Sequence, residues 1–282
     1  MTTSYMRTAP DATHFVSSQD GTKISYLTMG SGPAVIVIPG VLSTASDYTA
    51  FARALAEHFT VHIIERRGRG ESGPQGADYS IRKECEDVFA LQQKTGASFL
   101  VGHSFGGFVA LEAARHNPSF TKLAVYEPGV SIDGSIPMDW IPGSQKKLAE
   151  KKYLDAFVEF TLRCGPERVR RTPRWLMKLM IPLILSPHEL KQRLSLLHES
   201  IREHQETARL DGSYENYREI TASVLLMYGG KSDLPWLHLA LERLATVISQ
   251  SETQEFPRLD HFGIDKKAPR EVAEAVCAYF LK

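Results

Sequence analysis

Cysteine is scarce. Cys85, Cys164 and Cys277 are the only three in 282 residues, and they are far apart without metal-ligand spacing. An odd, sparse set argues against a disulfide framework and fits reduced thiols, hence a cytoplasmic setting. Excess charge of either sign is missing too, since 33 Lys and Arg balance 33 Asp and Glu. That balance argues against a nucleic-acid protein relying on bulk positive charge and against a polybasic membrane-surface protein. Long hydrophobic runs are also absent. The most apolar stretch, Trp175 to Leu185, is interrupted by Lys178 and Pro182. Its eleven residues fall short of the about 20 that a spanning helix needs. Met1 to His14 is polar and lacks the apolar run of a secretory leader, so no membrane insertion is expected. No internal repeat or low-complexity segment stands out. What is present is ordinary for a folded chain: 43% hydrophobic and 23% charged residues. The length suits one large domain with an insertion.

The first third alternates between strand and helix signals. His14 to Ser18 and Lys23 to Met29 are extended runs around an Asp20-Gly21 turn. Ala34 to Ile38, Val61 to Ile64, Ser98 to Val101 and Leu123 to Tyr126 are short apolar strands. Between them, helical spacing covers Ser46 to His58, Tyr79 to Gln93 and Phe105 to His116. Ser80 is placed as an N-cap, with Glu84 near enough to assist. The alternation resumes with strands at Ser223 to Tyr228 and Thr253 to Phe256, and helices at Pro235 to Ile248 and Pro269 to Leu281. Nearly continuous apolar strands alternating with helices predict an α/β fold with a mostly parallel sheet covered on both faces.

The middle differs. Residues 129–219 show no strand, only helical patterns at Ser144 to Cys164, Pro173 to Leu185 and Pro187 to Thr207. The predicted organisation is a core of residues 1–128 and 220–282 with a helical cap, 129–219, inserted between two strands.

The most informative stretch is Leu100 to Gly107, which contains Gly102-His-Ser-Phe-Gly106 directly after a strand and directly before a helix. A serine there sits on a tight turn that lifts its hydroxyl above the sheet, and the turn requires small residues two before and two after. Ser104 is therefore the candidate nucleophile. Serine needs a neighbour to remove its proton, and ten histidines compete for that role. His103 precedes the nucleophile and is expected to point away and pack. His261 alone lies in a loop between the last strand and the last helix, at the carboxyl end of the sheet.

With these residues the chain resembles the α/β-hydrolase superfamily over Phe15 to Leu281. The marks are Pro39-Gly40, Glu65 to Gly73, Gly102 to Gly106, Gly229 to Asp233 and Asp260 to Gly263. The resemblance implies a Ser, acid, His order, met here by Ser104, Asp233 and His261. Asp233 is expected to orient His261, and Glu127, ending the sixth strand, is its rival. The same likeness puts oxyanion-hole donors at the backbone N–H groups of Val41 and Phe105. Pro39-Gly40 replaces the His-Gly of many relatives, and a backbone donor at Val41 survives that change.

The implied activity is a serine hydrolase cleaving a small ester or related acyl compound through an acyl-enzyme. No residue cluster has metal-ligand spacing and no phosphate loop is present, so no cofactor and no metal are expected, and the expected partner is a small-molecule acyl substrate, not a nucleic acid. The alternatives are a cofactor-free lyase or oxygenase, or a non-catalytic small-molecule receptor on the same scaffold. The basic Glu65 to Gly70 stretch lacks the Lys-Ser/Thr of a nucleotide loop and is expected to be a structural turn. Lys146, Lys147, Lys151 and Lys152 are expected to form a solvated face. Trp140 and Trp175 are left between lining an acyl pocket and packing the cap.

Overall fold

The computed structural model describes residues 13–282, so the leader expectation for Met1 to His14 falls almost wholly outside the described residues. Eight strands form one sheet: β1 (Thr13–Ser17), β2 (Lys23–Gly30), β3 (Ala34–Ile38), β4 (Thr60–Ile64), β5 (Phe99–His103), β6 (Lys122–Tyr126), β7 (Ser223–Gly229) and β8 (Ser251–Phe256). Their order across the sheet is β1-β2-β4-β3-β5-β6-β7-β8. β1 and β2 pair antiparallel, and β3 to β8 run parallel. The register sets Ile38 opposite Gly102, His103 opposite Tyr126 and Tyr126 opposite Met227. The carboxyl ends of β3, β5, β6 and β7 are therefore level, where open parallel sheets place their ligands.

Eleven α-helices accompany the sheet among the described residues. They are α1 (Thr49–Leu55), α2 (Ile81–Thr95), α3 (Phe105–His116), α4 (Ile141–Ala149), α5 (Tyr153–Cys164), α6 (Glu167–Arg170), α7 (Arg174–Ile184), α8 (Pro187–Ser195), α9 (Leu197–Arg209), α10 (Leu237–Val247) and α11 (Pro269–Phe280). Side chains of β3, β5, β6 and β7 are buried on both faces, hence their unbroken apolar sequences. On one face they meet α2, α3 and α10, through Val88, Val109 and Leu241. On the other they meet α1 and α11, through Phe51, Leu55, Val272 and Val276.

Helices α4 to α9 lie between β6 and β7 and share a third apolar cluster. Leu42, from the loop after β3, belongs to that cluster, so the insertion packs against the carboxyl end of the sheet. A buried ion network adds to the junction. Glu203 of α9 pairs with Arg69 at 2.6 Å and Arg66 at 3.1 Å, and Arg66 also meets Glu84 of α2 at 2.7 Å. Arg66, Arg67 and Arg69 are all buried, so the basic stretch is a structural turn whose charges face carboxylates inside the fold.

Local details depart from the sequence pattern. Ser144 to Cys164 is two helices, because Lys151 adopts φ +58° and turns the chain. Pro187 to Thr207 is also two helices, separated at Leu196. Ser80 occupies the N-cap of α2 without a side-chain cap bond. Glu84 is drawn to Arg66 instead, and the Ile81 N–H donates to Glu206 of α9 at 2.9 Å.

Candidate active site

Ser104 lies between β5 and α3 with φ +54° and ψ −124°, a backbone conformation L-residues seldom adopt. The turn closes because its neighbours are glycines. A methyl on Gly106 would collide with the Ile38 carbonyl of β3, and one on Gly102 with the Gly106 backbone. Leu42 (φ +56°) and Glu127 (φ +47°) are also left-handed. Three strand ends, after β3, β5 and β6, thus carry strained residues side by side. Such strain persists only where the surroundings over-determine it.

The ring of His261 follows β8. Its Nδ1 donates to Glu127 Oε2 at 2.7 Å. The other Glu127 oxygen accepts the Gly229 N–H at 2.8 Å and the Ser232 hydroxyl at 2.5 Å. Glu127 is 0% exposed, so this carboxylate is enclosed and bonded through both oxygens. Burial pushes the His261 pKa down, but the Glu127 hydrogen bond and charge outweigh it, aided by Asp265 and Asp260, and the net shift is upward.

The carboxylate expected at Asp233 is elsewhere. Its side chain accepts the Arg168 N–H at 3.1 Å, and its carbonyl accepts the Glu167 N–H at 3.0 Å. Asp233 therefore anchors the start of α6. In the loop after β7 it is Ser232 that turns inward, onto Glu127, while the next side chain faces the insertion. The acid beside His261 is the rival, Glu127, and the structure corrects the expected Asp233 pairing.

His103 does not simply pack. Its Nε2 lies 2.9 Å from the His261 carbonyl, which can only accept, so Nε2 carries the proton. Burial and the neighbouring His261 hold the His103 pKa well below the usual histidine value, leaving the ring neutral. Its Nδ1 therefore accepts the Tyr48 hydroxyl at 2.6 Å. Tyr48 oxygen in turn accepts the Gly40 N–H at 3.0 Å. One buried chain of hydrogen bonds thus links the loop after β3, the residue before Ser104, and the loop holding His261. Tyr48 and Ser232 were not singled out in the sequence. Neither belongs to a local motif, and only long-range packing brings them here.

The loop after β3 closes over the elbow, and a Cβ on Gly40 would make a tight 3.2 Å contact with that of Ser104. Arg66 Nη1 donates to the Gly40 carbonyl at 3.3 Å from below. Arg193 of α8 bonds the Leu42 carbonyl from the insertion side. Among the described residues, neither the Val41 nor the Phe105 backbone N–H donates to a protein acceptor. Two outlying candidates separate clearly. Trp140 is buried against Phe160 and His204 inside the insertion, with ring centroids 5.2 and 5.0 Å away. Trp175 is 70% exposed.

Comparison with known proteins follows the same lines. A model of the alpha/beta hydrolase family matches residues 35–275. An alpha/beta hydrolase from Sphaerobacter thermophilus superposes with a TM-score of 0.81 at 30% identity, covering 95% of this chain and 100% of that one. An esterase from Exiguobacterium antarcticum shares the fold at 21% identity and a TM-score of 0.73, covering 96% of this chain and 100% of its own. In sequence, the chain is 29% identical over 178 residues to an N-formylmaleamate deformylase from Pseudomonas putida, covering 60% of this chain and 66% of the deformylase.

Proposed function

Because the chain belongs to the alpha/beta hydrolase family, we propose that it is a serine hydrolase that cleaves a small ester or related acyl compound through an acyl-enzyme. The carrying observation is the enclosed Glu127–His261 pair, 2.7 Å apart, tied through His103 to the strained Ser104. Glu127 fixes the proton on His261 Nδ1, so Nε2 is the basic nitrogen. Nε2 takes the Ser104 proton as Oγ attacks the substrate carbonyl carbon. The new C–O bond moves the carbonyl electron pair onto oxygen, where the Val41 and Phe105 N–H groups receive it. As the carbonyl re-forms, the leaving group departs with the proton from His261. Water then repeats the sequence on the acyl-enzyme, releases the acid and restores Ser104.

The named deformylase relative favours a second reading, in which the acyl bond cleaved is to nitrogen. Both use the same serine chemistry. The test is a fluorophosphonate probe followed by a panel of p-nitrophenyl esters and acyl amides with product identification. Ser104 is expected to be the labelled residue. Ser104→Ala should lose labelling and several orders of magnitude in turnover, because nucleophile and base act as one unit. Full labelling in that variant would overturn the assignment.

A further inference from the structure

Helix α7 has a face that the proposed chemistry does not use. Met177 and Ile181 turn into the apolar cluster of the insertion. The helix also exposes Trp175, Leu179, Met180, Leu183 and Ile184, of which Trp175, Leu179 and Leu183 lie opposite the buried pair at helical spacing, with Leu183 79% and Leu179 59% exposed. These five are more than half of the nine large apolar side chains exposed among the described residues. Apolar side chains clustered this way on one short helix mark an interaction surface.

The charges around this face identify what fits it. Arg168, Arg170, Arg171, Arg174 and Lys178 lie in or beside α7, and no Asp or Glu occurs from position 168 to position 188. The carboxylates paired with them come from other elements or from the chain just before. Arg174 meets the buried Glu159 at 2.6 Å, Lys178 meets Asp155 at 2.9 Å, Arg171 meets Glu167 at 2.8 Å, and Arg168 meets Asp260 at 3.8 Å. The stretch itself is thus apolar at its centre and carries only basic side chains, while the carboxylates that partly answer them belong to other segments.

We propose that α7 docks in the plane of an anionic phospholipid surface, with Trp175, Leu179 and Leu183 among the acyl chains and Arg171, Arg174 and Lys178 at the headgroups. Its eleven residues are too few to span a bilayer, but an amphipathic helix with a basic rim and a Trp/Leu face suits the interface. A second copy fits less well. Two-fold pairing would set this stretch against itself, cation facing cation, with no acid in it to answer. The zero net charge of the chain is no obstacle, because it averages over surfaces that a bilayer never meets.

Trp175 reports on the event directly, since Trp140 and Trp236 are buried. The protein is mixed with phosphatidylcholine vesicles, with and without phosphatidylglycerol, and followed by co-sedimentation and tryptophan emission. Co-sedimentation with the anionic vesicles, a blue-shifted emission and release by added salt are expected. Leu179→Ser/Leu183→Ser should abolish binding, and Arg171→Gln should weaken it about fivefold, while hydrolysis of a soluble ester stays unchanged in both. Three results would overturn the proposal: no binding to anionic vesicles, equal binding to pure phosphatidylcholine regardless of salt, or self-association in solution that the double serine variant removes.

Discussion

Glu127 and Asp233 are both carboxylates just past neighbouring parallel strands, and side-chain direction is what separates them. Glu127 is turned by its left-handed backbone toward β7 and the His261 ring, whereas Asp233 is turned toward α6. Glu127→Gln keeps an oxygen for Gly229 and Ser232 but presents an NH2 group to Nδ1, which imposes the wrong tautomer. Turnover should fall by about four orders of magnitude with circular dichroism unchanged. Asp233→Asn retains an acceptor for the Arg168 N–H and should lose less than about tenfold. Reversed losses would return the acid to Asp233. The pH dependence follows from the raised His261 pKa. In the proposed mechanism His261 acts as the neutral base, so the acidic limb of the rate profile should lie above the ordinary histidine value of about 6.5. Glu127→Gln should move that limb to lower pH, measurable on its residual activity. The stability effect has the opposite sign. Protonated His261 is favoured in the fold, so its contribution is complete below the unfolded pKa and is lost as pH rises through the folded one.

At the scale of elements, the junction between insertion and sheet includes a buried ionic cluster beside its more exposed contacts. Glu203 of α9 faces both Arg69 and Arg66, and Arg66 in turn supports the Gly40 carbonyl. Glu203→Ala would leave buried guanidinium charge without its carboxylate. We expect a loss of about 3–5 kcal/mol, read from urea unfolding, together with slower labelling of Ser104 as the loop after β3 loosens. The Tyr48 link is neutral and should matter differently. Tyr48→Phe removes the partner of the Gly40 N–H and of His103 Nδ1, at about 1–3 kcal/mol. Because Gly40 neighbours Val41, kcat should fall more than KM rises, and an unchanged kcat would mean that Tyr48 only packs.

For the whole molecule, charge balance has a measurable consequence. With an isoelectric point near 7.2, solubility should be lowest close to neutral pH and rise on either side, which a turbidity series across pH would check. No helix among the described residues is long and apolar enough to cross a membrane. The alternation of strands and helices along the chain and the strand-to-helix setting of Ser104 were legible in the sequence because they depend on local pattern. Ala34 to Ile38 is apolar throughout because both its faces are covered, and Gly102 and Gly106 are small because the turn between them admits nothing larger. His261 was legible as well, being a loop histidine between the last strand and the last helix. The partner of that histidine was not. Glu127 and Asp233 are equivalent in a one-dimensional pattern, and what distinguishes them is the φ of one residue and the direction of a loop 105 positions from Ser232's own partner. Tyr48 likewise carries no local sign of its bond to His103, 55 residues away. Trp175 shows the limit from the other side, since an apolar helical stripe looks the same whether it faces a core or solvent. Local pattern decides where strands, helices and the elbow fall, because backbone geometry is short-range. Which side chains then meet depends on how those elements pack, and only the tertiary structure decides it.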